Sequence, residues 1–222
     1  MATEFLREFP GPAGSLEALV DLPDGAVRAV AVIGHPHPLH DGTMHTKAVY
    51  QAAKAMTRIG VAALRFNFRG VGQSEGAFDT GLGEKDDFRA AIAFATERFP
   101  GVPIWAAGMS FGSWVAMTVG IEDPRVSLVL GIAPPVDRYD FESLKSSTLP
   151  KFIVHGEADE LISVKDVRKF YAQLPEPKEL VVLEDANHLF EGQTTAVGEA
   201  VEDLLADFGQ IPAADANGQA ST

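Results

Sequence analysis

The chain has no cysteine, few basic residues and no long apolar run. The absence of cysteine from its 222 residues excludes disulfide scaffolds, thiolate metal centres and a cysteine nucleophile. It has 18 Lys and Arg against 31 Asp and Glu, and this acidic balance argues against binding to a nucleic-acid backbone. Its apolar runs are of strand length, well short of the roughly 20 residues that span a membrane. We therefore expect a cytoplasmic protein whose partners include neither nucleic acid nor a membrane.

The two ends of the chain differ in composition from its middle. The first residues, MATEFLREFPGPAG, interleave charges with apolar residues, unlike a signal peptide. Residues 211–222 are mostly small and polar and have no apolar periodicity, which predicts a disordered tail. Residues 1–210 contain no internal repeat, and their length suits one domain. We expect this single domain to be a monomer or to form a homodimer.

Short apolar runs alternate with amphipathic segments along the chain. The runs that predict strands are Leu16–Val20, Ala29–Ile33, Val61–Phe66, Ile104–Ala107, Val126–Ile132, Phe152–Val154 and Leu180–Leu183. This alternation predicts an α/β domain with a mainly parallel, twisted sheet and helices on both faces. The first two strands have no helix between them, so we expect them to pair antiparallel at one edge.

A candidate nucleophile follows the strand Ile104–Ala107. The motif G-x-S-x-G spans residues 108–112, between that strand and a buried helix at Phe111–Gly120. Glycines on both sides of the serine let the chain turn sharply without steric clashes. The Ser110 hydroxyl is then presented at a helix N-terminus, which favours developing negative charge. The alternative is a glycine-rich turn without any chemistry.

A serine hydroxyl becomes a good nucleophile only with a base and a group that orients the base. His188 is the one histidine that follows the loop after the strand Phe152–Val154, and we predict it to be the base. The candidate acids are Glu157, Asp159, Glu160 and Asp185. We favour Asp159, because it follows the turn at Gly156 and precedes apolar residues.

Acyl transfer also needs two backbone N–H groups that bind the developing oxyanion. One is expected from Phe111, the residue after the nucleophile. The other is expected from the loop after Ile33, where Pro36 and Pro38 have no N–H. His37 and Leu39 remain as donors there, and we choose His37.

The same loop holds four of the six histidines, which raises the hypothesis of a metal site. Its ligand-type residues are His35, His37, His40, Asp41 and His45. Their spacing matches no zinc pattern, and the prolines make the loop stiff. We therefore predict no metal and no cofactor.

A glycine-rich loop over residues 67–76 suggests phosphate binding at first sight. It lacks the lysine of a Walker motif, and Glu75 stands where a dinucleotide fingerprint needs its third glycine. We interpret the loop as a tight structural turn in which Arg69 is an anchoring donor.

Together these segments resemble the α/β-hydrolase superfamily over about Phe5 to Phe208. The segments HPHPLHDGTMHTK, FNFRGVGQSEG, GMSFG, HGEADE and ANHLFEG are most similar to small bacterial serine hydrolases related to dienelactone hydrolases and esterases. In the dienelactone hydrolases the nucleophile is a cysteine, and that position here holds Ser110. Larger relatives insert a lid after the strand Val126–Ile132, where this chain has only residues 133–151 before the next strand. The resemblance therefore implies an α/β-hydrolase fold without a cap domain.

The expected function is that of a serine hydrolase that cleaves small-molecule esters or thioesters with a short acyl group. The reaction would proceed through an acyl-enzyme on Ser110. A peptidase or an acyltransferase of the same fold is an alternative, because the same acyl-enzyme can form or be resolved differently. A metallohydrolase using the histidines of residues 35–45 is another. From a different class, the alternative is a non-catalytic binding protein of this fold.

Overall fold

The computed structural model describes residues 2–208, without the side chains of residues 5–7. The predicted disordered tail, residues 211–222, lies outside this range. The strands are β1 (Ala2–Gly11), β2 (Gly14–Leu22), β3 (Ala29–Gly34), β4 (Val61–Phe66), β5 (Ile104–Met109), β6 (Val126–Ile132), β7 (Lys151–Gly156) and β8 (Lys178–Leu183). The α-helices are α1 (Lys47–Arg58), α2 (Leu82–Arg98), α3 (Phe111–Gly120), α4 (Val164–Gln173) and α5 (Thr194–Leu205). No helix in the described part is long and apolar enough to cross a bilayer.

All the described strands form a single sheet in the order β1-β2-β4-β3-β5-β6-β7-β8. Every neighbouring pair from β4 through β8 in this order is parallel. The strands β3 to β5 are buried along their whole length, because helices cover both faces. This architecture confirms the predicted mainly parallel sheet.

The predicted pairing at the sheet edge is wrong. β2 and β3 are not neighbours, because β4 lies between them. Helix α1 connects β3 to β4 as a crossover between adjacent parallel strands, and this unit occupies the edge of β3 that β2 would need. β2 instead pairs antiparallel with β4 on one side and with β1 on the other. The antiparallel edge therefore exists, but β1 and β2 form it.

The helices divide into two layers, one on each face of the sheet. One layer consists of α1 and α5, whose buried apolar residues share a core with β3, β5 and β6. The other contains α2, α3 and α4, which pack on the opposite face. In α1 the buried residues include Val49, Ala52, Ala53 and Met56, the stripe expected from helical spacing. The two layers leave the carboxyl ends of the parallel strands at one exposed edge of the sheet.

The connection from β6 to β7 determines how open that edge is. Residues 133–150 contain a single short 3₁₀ helix, Glu142–Lys145. The described chain therefore carries no cap domain at this point, as predicted. Because nothing larger is inserted, the loops at the carboxyl ends of the strands border solvent directly.

The glycine-rich loop after β4 is a structural turn, and its anchor is Arg69. The guanidinium of Arg69 donates from Nε and Nη2 to the Asp87 carboxylate of α2, with Nη2 2.7 Å from Oδ1. The Asp87 side chain is fully buried, and its hydrogen bonds raise the pKa of Arg69. This buried pair confirms the predicted anchoring role.

Candidate active site

The turn between β5 and α3 holds Ser110 in a strained conformation. Its φ of 51° and ψ of −122° are rare for a residue with a side chain. A Cβ at Gly108 would overlap the carbonyl oxygen of Gly112, and one at Gly112 would overlap the backbone of Gly34 and His35. The Ser110 N–H donates to the carbonyl of Ile132 in β6 at 2.8 Å, which fixes the turn against the sheet.

The turn brings Ser110 into contact with His188, which lies 78 residues later in the chain. Ser110 Oγ is 3.0 Å from His188 Nε2. On the other side of the ring, His188 Nδ1 is 2.8 Å from Asp159 Oδ2. The structure therefore brings the predicted nucleophile, base and acid into one hydrogen-bonded series, in the arrangement that activates a serine.

Asp159 is held by the loop in which it occurs. Its Oδ1 accepts the N–H groups of Leu161 at 2.9 Å and Ile162 at 2.8 Å, which leaves Oδ2 for His188. Burial raises the pKa of Asp159, but the hydrogen bonds from His188 and Ile162 outweigh burial and bring the pKa below its ordinary value. The carboxylate is therefore ionised at neutral pH and can orient the imidazole.

The other candidate acids lie elsewhere. Glu157 and Asp185 are exposed to solvent. Glu160 is also exposed, and its Oε2 accepts the backbone N–H of His188 at 3.3 Å rather than contacting the ring. Of the four carboxylates, the Asp159 group is the one in contact with the imidazole.

A second histidine, His155 near the end of β7, contacts the loop that holds Asp159. It is fully buried, and its Nε2 lies 2.9 Å from the carbonyl of Ile162 and 3.6 Å from Asp159 Oδ2. Burial lowers the pKa of His155, so the ring is neutral at neutral pH and donates from Nε2 to the carbonyl. Its Nδ1 has no hydrogen-bond partner among the described residues. Sequence patterns could place this residue at a strand end but could not reveal the contact.

The two predicted oxyanion donors lie on one wall of the site. Phe111 is the first residue of α3, where N–H groups have no partner within the helix. The ring centroids of Phe111 and His37 are 5.1 Å apart. The N–H of Leu39, the other candidate, donates to His37 Nδ1 at 3.1 Å and is therefore already used. This bond favours His37 over Leu39 as the second donor.

The remaining histidines of the loop after β3 have separate surroundings. His40 packs on His37 with ring centroids 4.7 Å apart, and His45 is exposed. His35 is buried, with Nδ1 2.6 Å from the carbonyl of Pro36 and Nε2 accepting the N–H of Phe68 at 3.1 Å. Within residues 2–208, no three His, Asp or Glu side chains are grouped so that they could hold a metal ion.

The burial of His35 makes stability depend on pH. Burial lowers the pKa of this ring to about 4, whereas an unfolded chain has a value of about 6.5. Protons therefore bind the unfolded chain first, and stability is full above about pH 6.5 and declines as pH falls toward 4. We expect His35 to contribute a loss of about 3 kcal/mol over that interval.

Urea unfolding of the wild type and a His35→Gln variant between pH 7.5 and 4 tests this expectation. The variant's free energy of unfolding should fall less steeply with decreasing pH, although buried His155 leaves part of the slope. His45→Gln, at an exposed position, is the matched control and should keep the wild-type slope. Equal slopes in all three proteins would contradict the assignment to His35.

A cavity of about 540 Å³ opens beside Ser110. Residues from the loops after β3, β5, β6, β7 and β8 line it, so it lies where ligands bind in parallel sheets. Part of its lining is apolar or aromatic and is not indicated by the sequence motifs: Pro135, Tyr139, Leu161, Ile162 and Leu189. These residues belong to no catalytic motif. The one signal for them in the sequence is their position in a loop that follows a strand or close to Asp159 or His188.

Two family models and a relative of similar length match this chain. Residues 37–147 match the family described as serine aminopeptidase, S33. Residues 121–217 match the family described as PhoPQ-activated pathogenicity-related protein. An uncharacterised protein of Rickettsia prowazekii is 34% identical over 206 residues, which cover 89% of this chain and 87% of that protein.

Solved structures of two similar proteins share the fold. An α/β serine hydrolase homologue from Coxiella burnetii is 37% identical, with a TM-score of 0.88 over 93% of this chain and 99% of that one. A protein from Xanthomonas campestris, described as a member of the α/β serine hydrolases without a lid, is 31% identical. Its TM-score is 0.86 over 97% of this chain and 98% of that one.

Proposed function

Because the chain belongs to the α/β-hydrolase superfamily, we propose that it hydrolyses carboxylic esters or thioesters with a short acyl group. Family membership makes the protein a hydrolase. The observation that supports the finer proposal is the continuous contact from Ser110 through His188 to Asp159 at the edge of an open cavity. A hydroxyl, a base and a buried carboxylate in this order are the groups that acyl transfer needs.

In the first half of the reaction, Ser110 Oγ attacks the carbonyl carbon while His188 Nε2 accepts the hydroxyl proton. The resulting imidazolium is stabilised by the ionised Asp159 at its Nδ1–H. The oxyanion accepts hydrogen bonds from the backbone N–H groups of Phe111 and His37. His188 then gives its proton to the leaving oxygen or sulfur, and the alcohol or thiol departs.

In the second half, a water molecule attacks the acyl-enzyme. His188 accepts a proton from this water, and the tetrahedral intermediate collapses to release the carboxylic acid and restore the Ser110 hydroxyl. The chain's own residues supply every proton transfer in this scheme. Both halves use the same nitrogen of the imidazole, His188 Nε2, which lies 3.0 Å from Ser110 Oγ.

The shape of the site supports a small substrate. A cavity of about 540 Å³ is in the lower part of the range of small-molecule sites, about 300 to 1,000 Å³. Without a cap domain, no additional apolar walls enclose a long acyl chain. We therefore expect acetyl and butanoyl esters to react faster than esters of long fatty acids.

Labelling with a fluorophosphonate probe tests the proposed nucleophile. The wild type should be labelled on Ser110, and the Ser110→Ala variant should not be labelled at all. Ser143→Ala, at an exposed serine of the 3₁₀ helix that does not line the cavity, is a control that should keep the label. Equal labelling of wild type and Ser110→Ala, or none in either, would overturn the mechanism. It would favour the alternative of a non-catalytic binding protein of this fold. Loss of esterase activity in EDTA would instead favour the metallohydrolase.

Peptide cleavage is a second candidate, favoured by the match to a family described as serine aminopeptidase. The carboxylate of Glu160 lies at the cavity and could bind the ammonium group of a peptide N-terminus. Alanine p-nitroanilide and p-nitrophenyl acetate distinguish the two activities. A larger kcat/KM for the anilide would make the protein a peptidase and replace the ester proposal.

A further inference from the structure

We propose that the group released from Ser110-bound substrate is an apolar alcohol or thiol that lies along Leu161 and Leu189. This inference rests on the proposed esterase function and specifies its substrate class. The acyl part remains short, whereas the apolar part of the substrate is on the leaving-group side. The substrates are therefore short-acid esters of uncharged, apolar alcohols or thiols.

The chemistry determines where the leaving group lies. His188 Nε2 must donate its proton to the leaving oxygen, which therefore has to be within hydrogen-bond reach of that nitrogen. The acyl carbon, by contrast, stays bonded to Ser110 Oγ. The alcohol chain thus begins beside the His188 ring and continues along the side chains next to it. Two leucines line the cavity together with His188: Leu189, which follows it directly, and Leu161, two residues after Asp159. We assign the alcohol chain to them.

Both leucines present apolar surface to solvent at this place. Leu161 is 46% exposed and Leu189 is 51% exposed, and they are two of the few large apolar side chains in the described chain that are exposed to this degree. Leu161 is also held in place. Its N–H donates to Asp159 Oδ1 at 2.9 Å, and its carbonyl accepts from Arg138 Nη2 at 3.1 Å. These bonds fix the backbone of Leu161, so that less entropy is lost when its side chain is ordered against a bound group.

The charges near these leucines disfavour an anionic leaving group. The exposed carboxylate of Glu160 lies next to Leu161 and lines the same cavity. It would repel an anionic alcohol, as would the net charge of −13. Arg138, the cation of this wall, already binds the Leu161 carbonyl and lies 4.0 Å from the Asp137 carboxylate. The charges of this wall thus argue against an anionic leaving group, and the exposed surface of Leu161 and Leu189 favours an apolar one.

Isomeric esters separate this proposal from a general preference for apolar substrates. Hexyl acetate and ethyl hexanoate have the same formula, and so do butyl acetate and ethyl butanoate. We expect kcat/KM to rise about twofold per methylene in the alcohol, half the effect of a fully buried CH₂. Hexyl acetate should therefore exceed ethyl acetate by about 15-fold, and it should clearly exceed its isomer ethyl hexanoate. Acid release in a pH-stat gives these values.

Variants assign the preference to the two leucines. In Leu161→Ser and Leu189→Ser, the ratio of kcat/KM for hexyl acetate to that for ethyl hexanoate should fall several-fold. This ratio is internal to each protein and is insensitive to partial loss of folded enzyme. Leu82→Ser, at a leucine that is 71% exposed and does not line the cavity, should keep the wild-type ratio.

The outcomes distinguish this inference from the proposed function. If the fluorophosphonate labels Ser110 and acetate esters are cleaved, but each isomeric pair reacts equally or the longer acyl chain is preferred, only the leaving-group inference is overturned. An unchanged ratio in both leucine variants overturns it as well. If a leucine variant fails to fold, the isomer ratios of the wild type still test the inference. Failure of labelling instead overturns the function.

Discussion

Replacing His188 with alanine is expected to lower kcat for acetate esters by a factor on the order of 10⁶. The imidazole contacts Ser110 Oγ at 3.0 Å and is the group that can take its proton and return it to the leaving group. Without it, the hydroxyl keeps its proton at neutral pH and is a poor nucleophile. Initial rates with p-nitrophenyl acetate, read by absorbance, measure the loss.

The control for this experiment is His45→Ala, because His45 is an exposed histidine at the end of the loop after β3. It should leave kcat within about twofold of the wild type, as expected for a surface change. The double variant Ser110→Ala/His188→Ala should be no slower than either single variant, because residues that act as a unit are not additive. A His188→Ala enzyme that keeps one hundredth of the activity would contradict its role as the base.

Replacing Asp159 with asparagine is expected to lower kcat by about 10⁴-fold while the protein stays folded. An asparagine oxygen can still accept the N–H groups of Leu161 and Ile162, so the loop keeps its shape. Its NH₂ group, however, would donate to His188 Nδ1 and force the proton of the ring onto Nε2. The imidazole would then have no lone pair facing Ser110.

Asp185→Asn is the matched control, since Asp185 is an acid of the same loop as His188 but is exposed. Its kcat should equal that of the wild type. Thermal unfolding by circular dichroism should give similar midpoints for all three proteins. If Asp185→Asn loses activity and Asp159→Asn keeps it, the acid has been assigned to the wrong residue.

The elements closest to the nucleophile could be predicted because their determinants are local. Strand β5, the turn at residues 108–112 and helix α3 follow one another in the chain, and each shows its own pattern of apolar residues and glycines. The steric need for Gly108 arises within the turn, at Gly112, whereas that for Gly112 arises from Gly34 and His35 in a distant segment, although the motif marks both glycines. Local patterns therefore suffice for this part of the site.

The sheet edge shows where local patterns fail. β1 is a ten-residue strand that the apolar pattern does not indicate, because charged residues and Pro10 interrupt it. The position of β4 between β2 and β3 depends on how helix α1 packs on the sheet. This packing cannot be predicted from the sequence of any single strand. Strand adjacency is a property of long-range packing.

The choice of acid is a similar case. Four carboxylates lie near two strand ends, and the turn at Gly156 with the apolar residues after it favours Asp159 without excluding the others. In the fold, Asp159 is buried and 2.8 Å from His188, whereas Glu157 and Asp185 point to solvent. The contact of His155 with the same loop is also visible only in three dimensions.

By itself, the sequence excluded a cysteine nucleophile and determined the alternation of strands and helices and the lack of room for a cap domain after β6. These follow from composition, periodicity and the count of residues between strands. The tertiary structure decided the order of the strands, the carboxylate that faces His188, and the two exposed leucines that line the cavity with His188. The physical reason is that each of these depends on distances between segments far apart in the chain. The packing of the two helical layers on the sheet establishes those distances.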